Sequence, residues 1–286
     1  MRKNFLFKFI VFAAFVFSNV FIFKSLKLLI LELVLLTIFG FLYSKKAKKT
    51  ILEIKSKKIC GNFKAIFIAD YHSNPADGVL EIIKSEARDS DFVFLGGDIV
   101  DDKAEDYNVD ELFSAIGERE TFYSIGNHEV RRKDLPVLIN YFKNNSTYLS
   151  RKTSPISISN FEIYGIDDAT VNESDFNYSL LYFKETLDNE KFNILLVHRP
   201  EYFEKYMDAG FDLVLTGHAH GGHARLPFIG AIVAPGQGFF PKFQKGLYTK
   251  GEQNMFLTSG ASKKKYLVPR FFNRAEVVII NFMEEL

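Results

Sequence analysis

The chain has 286 residues, with 36 basic and 35 acidic side chains and a formal net charge of +1. A balance this even gives no reason to expect a nucleic-acid partner. The single cysteine, Cys60, excludes an intrachain disulfide and a thiolate zinc site, and is read as a lone buried thiol.

Residues 1–44 differ from the rest of the chain. Phe5–Phe23 is apolar except for Lys8, Ser18 and Asn19, and Leu28–Tyr43 is apolar apart from Glu32 and Thr37. A bilayer-spanning helix needs roughly 17–25 mostly apolar residues. The first run meets that length; the second approaches it, with Glu32 as a cost inside a bilayer. The pattern predicts a transmembrane helical hairpin or anchor over 1–44. A single span with an interfacial helix is the next reading, and a cleaved signal peptide the third. Arg2 and Lys3 precede the pair, and Lys45, Lys46, Lys48 and Lys49 come after it. That bias places both ends of a hairpin, and the catalytic part, on the cytoplasmic side of a bacterial inner or plasma membrane.

Residues 45–60 read as a basic linker, with seven lysines between Lys45 and Lys58. The linker is either a solvated flank or attracted to anionic lipid headgroups. From residue 61 to 286 the pattern is that of one compact α/β domain. Strands are predicted at Ala65–Ala69, Phe92–Leu95, Thr121–Ile125, Phe161–Ile166, Asn193–Val197, Leu213–Thr216, Ala231–Ala234, Met255–Thr258 and Ala275–Asn281. Helices are predicted at Gly78–Ser90, Val109–Gly117, Leu135–Asn144, Tyr178–Asn189 and Pro200–Ala209. Alternating strands and helices imply a sheet with helices packed on its faces.

The residues just past the strand ends carry the chemistry. Ala65–Ala69 runs into Asp70-Tyr-His72, Phe92–Leu95 into Gly-Gly-Asp98, and Thr121–Ile125 into Gly-Asn127-His128-Glu129. Asn193–Val197 runs into His198-Arg-Pro, and Leu213–Thr216 into Gly-His218-Ala-His220. Ligands of open α/β sheets bind beyond the carboxyl ends of the strands, so these tips converge. The convergent set is Asp70, His72, Asp98, Asn127, His198, His218 and His220. It offers oxygen and imidazole nitrogen without sulfur, which suits Mn, Fe, Zn or Co. Seven donors exceed one tetrahedral site and suit two divalent ions about 3.5–4 Å apart, sharing the Asp98 carboxylate.

In this order the motifs resemble the calcineurin-like metallophosphoesterase superfamily, and within it the small bacterial phosphoesterases with an N-terminal signal or membrane anchor. The resemblance implies a four-layer α/β/β/α sandwich with a dinuclear site. It implies that Asp70, His72, Asp98 and His220 hold one ion, and that Asp98, Asn127, His198 and His218 hold the other. His128 is implied to be catalytic rather than a ligand, and Asp101 and Asp102 are the two candidates for orienting it. The metals would clamp a phosphoryl group and lower the pKa of a bridging water, whose hydroxide attacks phosphorus. Ser73 stands where the superfamily often has Gly. Gly-Asp-Ile-Val-Asp-Asp lacks the Arg-Gly of phosphoprotein phosphatases, which speaks against that class.

The expected function is hydrolysis of a lipid-linked or envelope phosphodiester or pyrophosphate. The alternative within the same chemistry is a nucleotide or cyclic-nucleotide phosphodiesterase. The alternative from another class is a metal-binding membrane scaffold or sensor without turnover. Phe239, Phe240 and Lys242 come after a glycine-rich loop and are candidates for contact with the non-reacting part of a substrate. His223 lies near the motifs and is not counted as a ligand.

Overall fold

The computed structural model describes residues 26–105, 107–265 and 268–285. The first apolar run, Phe5–Phe23, lies outside the described residues. The second is a helix, α1 (Leu26–Ser44). It is followed by β1 (Lys48–Ser56), β2 (Asn62–Ile68), α2 (Val79–Ala87), β3 (Phe92–Gly96), α3 (Asp110–Ile116), β4 (Glu120–Ser124), α4 (Asn127–Val130), α5 (Leu135–Asn145) and β5 (Thr147–Tyr148). The second half contains β6 (Ile156–Ile158), β7 (Phe161–Gly165), α6 (Glu173–Thr186), β8 (Phe192–Leu196), α7 (Phe203–Ala209) and β9 (Leu213–Thr216). After a stretch of two-residue strands come β10 (Gly246–Lys250), β11 (Gln253–Leu257) and β12 (Glu276–Glu284).

These strands form two six-stranded sheets, ordered β1-β12-β2-β3-β4-β5 and β10-β11-β9-β8-β7-β6. Side chains alternate across a strand, and here both faces are buried. Ala65 and Phe67 of β2 meet Phe161, Ile163, Ile194 and Leu215 of the other sheet, while Ile66 and Ile68 turn outward onto Val79, Ile83, Leu112 and Phe142 of the helices. On the far side, Tyr164, Leu195 and Val214 pack against Phe176, Phe183 and Tyr206. The result is the expected α/β/β/α order. Burial on both faces explains why the central strands read as continuous apolar runs.

Several boundaries differ from expectation. α6 begins at Glu173 rather than Tyr178, because the Asn172 side chain accepts the N–H groups of Ser174 and Asp175 and so caps the helix. Ala231–Ala234 is divided between two hairpins, pairing Arg225–Leu226 with Gly230–Ala231 and Val233–Ala234 with Gly238–Phe239. Cys60 is exposed, since the turn after β1 carries it outward.

The basic linker is part of the sheet rather than a flank. Lys48–Ser56 is an edge strand parallel to β12, with Leu52 and Ile54 buried and Lys49, Glu53 and Lys55 turned to solvent. Its lysines serve the fold: Lys48 pairs with Glu276 at 3.0 Å and Lys49 with Glu86 at 2.8 Å. Charged residues are a common protection for an exposed sheet edge.

α1 carries its large apolar side chains in the open, among them Ile30, Leu31, Val34, Leu35, Ile38 and Leu42. Among the described residues no helix is long and apolar enough to cross a membrane. The C-terminal end of α1 is seated on the domain. Gly40 admits the Phe271 ring, which a Cβ there would meet at 2.3 Å, and Phe41 stands edge-on to the same ring. Asn273 donates its N–H to the Ser44 hydroxyl at 2.9 Å and its side-chain amide to the His220 carbonyl at 2.7 Å. The end of the helix is thus one residue away from a loop of the candidate site.

Candidate metal centre

β2, β3 and β4 run parallel in one sheet, as do β8 and β9 in the other, and their carboxyl ends share one edge of the sandwich. The loop after β2 runs along the loop after β3, with Asp70 N–H donating to the Gly97 carbonyl and His72 N–H to the Asp98 carbonyl. Holding short side chains inward from such tips requires unusual backbone. Asp70, His72, Asp98, His218 and His220 all have φ between 48° and 71°. For non-glycine residues this left-handed region is sparsely used and costs of order 1–3 kcal/mol each, so surrounding contacts must hold it.

Close approach explains the glycines. A Cβ on Gly126 would lie 2.4 Å from Asp98 Oδ1, and one on Gly97 would lie 2.7 Å from the Gly126 nitrogen. Glu129 then ties the two tips together. Its carboxylate accepts the N–H groups of Asp98, Ile99, Val100 and Gly126 at 2.6–3.0 Å.

All seven predicted ligands and His128 come together. Asp98 Oδ1 accepts the His128 N–H at 2.7 Å, which leaves Oδ2 toward the imidazoles. Oδ2 is 3.1 Å from His198 Nε2, 3.7 Å from His72 Nε2 and 4.0 Å from His128 Nε2. Asp70 Oδ1 is 3.5 Å from His220 Nε2 and 3.9 Å from His72 Nε2. Asp70, His72 and His220 form a group on one side and Asp98, His198 and His218 a second on the other, and His128 joins two more, with His72 and Asp98 and with Asp101 and Asp102. Asn127 adjoins the second, with its amide 2.7 Å from His218 Nδ1.

The donor chemistry fits cations. His198 Nδ1 stands 2.9 Å from the Gly96 carbonyl, which can only accept, so Nδ1 carries a hydrogen and Nε2 is the nitrogen turned to the Asp98 carboxylate. His72 Nδ1 is 3.3 Å from Asp101, and its Nε2 faces His220 Nε2 at 3.3 Å. Nitrogen facing nitrogen, and nitrogen facing carboxylate, is what a positive ion reconciles. Burial resists ionisation of Asp98, yet the charges of His198, His72 and His128 hold its carboxyl well below the usual carboxylate range. Burial likewise pushes the His198 imidazole down, and the Asp98 carboxylate overrides this and raises it to about 10. Both shifts describe a pocket that favours positive charge beside Asp98.

The choice between Asp101 and Asp102 resolves clearly. Asp102 Oδ1 stands 2.8 Å from His128 Nδ1, whereas Asp101 Oδ2 is 3.9 Å away and turns to His72 instead. Behind His218 lie Arg199, from the His198-Arg-Pro motif, and two acids that no motif marks, Asp168 and Glu201. Arg199 Nε bonds both oxygens of Asp168, at 2.9 and 3.1 Å, and its Nη1 is 3.3 Å from His218 Nε2. Glu201, raised by burial, sits 3.7 Å from the same nitrogen. A Cβ on Gly236 would meet Glu201, so that glycine makes room for the acid. The closeness of Arg199 and Glu201 to His198 in the chain is the available signal, but it does not say which way they face.

The site opens into a cleft of about 400 Å³, lined by Asp98, Asn127, His128, Arg131, Arg199, His218, His220, His223 and the Val233–Gly236 turn. His223 stacks on His220 with ring centroids 4.6 Å apart. Phe239 and Phe240 are exposed and do not line this cleft, and Lys242 pairs with Glu204 at 3.4 Å.

A sandwich of two sheets whose tips gather carboxylates and imidazoles around a shared aspartate defines a dinuclear metallohydrolase. A family model described as Calcineurin-like phosphoesterase matches residues 63–222, more than half of the chain, and the protein belongs to that family. It is a hydrolase of phosphoester bonds whose cofactor is a pair of divalent metal ions. The chain is 28% identical over 270 residues to an uncharacterized metallophosphoesterase of Campylobacter jejuni, Cj0846, covering 90% of this chain and 68% of that protein. It is 32% identical over 121 residues to YkuE of Bacillus subtilis, covering 42% of this chain and 40% of that one. It is 27% identical over 216 residues to the phosphodiesterase YaeI of Escherichia coli, covering 69% and 74%.

Proposed function

We propose that the protein hydrolyses a lipid-linked or envelope phosphodiester or pyrophosphate at a bacterial membrane surface. Asp70, His72, Asp98 and His220 hold one ion in this reading, and Asp98, Asn127, His198 and His218 the other. The observation that carries it is Asp98 Oδ2, which lies within reach of imidazoles from both groups. The ions are drawn from Mn, Fe, Zn or Co, as an oxygen and nitrogen donor set prefers. When bound they supply Lewis-acid polarisation of the phosphoryl oxygens and a nucleophilic water at neutral pH.

The remaining work falls to the chain. Asp102 holds His128 Nδ1 as a donor and aims Nε2 into the cleft. As the oxygen of the attacking water bonds to phosphorus and the bond from phosphorus to the leaving oxygen breaks, the Nε2 proton of the His128 imidazolium would pass to that oxygen, leaving a neutral imidazole held by Asp102. Asp101 stands 3.3 Å from His72 Nδ1 and steadies that ring from behind, the second layer that metal-binding imidazoles need.

Support for a membrane surface comes from α1, whose apolar side chains are exposed along most of its length and need a cover. A bilayer supplies one, and attachment there concentrates the enzyme near lipid-linked substrates. The test is a substrate panel on the full chain in detergent and in vesicles, with each candidate metal. Metal-dependent cleavage of lipid pyrophosphates or diesters above soluble nucleotides is expected. Preference for nucleotides would overturn the lipid reading, and metal uptake without any turnover would overturn the enzymatic one.

A further inference from the structure

We infer that Arg131 is a phosphoryl-binding residue, and that Asn127 hands it to the substrate when its amide oxygen turns to a metal ion. The inference rests on the proposed role of Asn127 as a ligand.

Arg131 lines the cleft and stands at its open rim, with nearly half of its side chain exposed. Its Nε donates to Asp102 Oδ2 at 2.9 Å, while the other oxygen of that carboxylate holds His128. One carboxylate therefore sets both the group that protonates the leaving oxygen and the guanidinium beside it. A fixed, planar guanidinium with its Nη edge turned inward suits the oxygens of a phosphate.

What the Nη edge meets depends on the Asn127 amide. In one orientation the amide nitrogen donates to His218 Nδ1 at 2.7 Å, and the oxygen accepts from Nη1 and Nη2 of Arg131 at 2.9 Å each. That arrangement is a closed set of hydrogen bonds without a cation. An amide nitrogen cannot ligate a metal, so ligation requires the other orientation. Then the oxygen faces His218 Nδ1, and the amide nitrogen replaces it 2.9 Å from both Nη atoms. Donors now confront donors, and an anionic oxygen in the cleft is the partner that satisfies them. Metal loading thereby converts Arg131 from a buttress of Asn127 into a receptor for the phosphoryl group.

The test uses the full chain and inorganic phosphate as the probe. Phosphate affinity is measured calorimetrically on the metal-loaded and metal-free forms of the wild type, Arg131→Ala and Arg131→Lys, with metal content determined in parallel. A charge-assisted contact of this kind is worth roughly tenfold to a hundredfold in affinity. Arg131→Ala is expected to lose that much with its metal stoichiometry intact, Arg131→Lys to recover part of it, and the metal-free forms to differ little. Wild-type phosphate affinity in fully loaded Arg131→Ala would overturn the inference alone. Loss of metal in step with phosphate would also overturn it, by making Arg131 a support for Asn127. A wild type that takes up no metal would overturn the dinuclear reading itself, and this inference with it.

Discussion

The Glu129 carboxylate accepts the backbone N–H of Asp98 at 2.9 Å. The same carboxylate takes the N–H groups of Ile99, Val100 and Gly126, so a single buried side chain fixes the tips of β3 and β4 in register. Asp98 holds a left-handed backbone, and this contact helps to keep it there, together with the His72 N–H on its carbonyl. Replacing Glu129 with Ala orphans four buried donors, each worth about 1–3 kcal/mol when nothing replaces the acceptor. Chemical denaturation of Glu129→Ala is expected to show a loss of at least about 3 kcal/mol, with a fall in bound metal. Glu129→Gln retains one accepting oxygen and should lie between the two.

The central site was legible because its signal is local. Each of Asp70, Asp98, Asn127, His198 and His218 comes after a strand that reads clearly as apolar, and parallel strands bring such positions to one edge. What was not legible depends on orientation across the fold. Nothing in Gly-Asp-Ile-Val-Asp-Asp says that Asp101 turns to His72 and Asp102 to His128. Arg131 and Glu201 acquire meaning only when Asn127 and His218 lie beside them. β1 was hidden for another reason. Its lysines dominate the composition, while only Leu52 and Ile54 alternate inward on an edge strand.

In the proposed mechanism His128 and Asp102 serve proton transfer rather than metal binding. His128→Ala is expected to lower turnover by roughly 10²–10⁴-fold, the usual contribution of a positioned proton donor, with metal stoichiometry near that of the wild type. Asp102→Asn leaves the imidazole in place without a carboxylate on Nδ1, so a smaller loss in turnover is expected. Metal analysis beside steady-state kinetics checks both. An equal loss of metal and activity in His128→Ala would make it a ligand.

Gly126 offers a steric test of the same site. An added Cβ would lie 2.4 Å from Asp98 Oδ1 and 2.5 Å from the Asp98 nitrogen, neither of which can yield while Glu129 holds the loop. Gly126→Ala is expected to displace the shared carboxylate and lower metal affinity more than it lowers stability. Gly117→Ala is the control, since a Cβ there meets nothing within 4 Å. Its φ of 70° with ψ of −147° is a backbone region nearly restricted to glycine, so the alanine should cost about 1–3 kcal/mol of stability, with metal affinity unchanged. Calorimetric metal titration and thermal melts of the two variants distinguish site geometry from backbone strain.

Glu276 makes stability depend on acid. It is buried at the start of β12, where it accepts the Ser259 N–H at 2.7 Å, the Thr50 hydroxyl at 2.7 Å and the Lys48 ammonium at 3.0 Å. Burial alone would raise its pKa, but Lys48 and these hydrogen bonds outweigh it, and the folded value lies below the ordinary one. A carboxylate lowered in the folded state stabilises fully above its unfolded pKa, about 4.3, and that contribution disappears as pH falls through the folded value. Glu276→Gln should therefore cost about 1–3 kcal/mol at pH 7, and the gap to the wild type should narrow as the medium is acidified below the unfolded pKa. Urea denaturation of both proteins across that interval reads the difference directly, so that charges elsewhere cancel. A gap that stays constant from neutral to acid would show that the packing of the side chain, rather than its charge, fastens β12 to β1 and to the Ser259 turn.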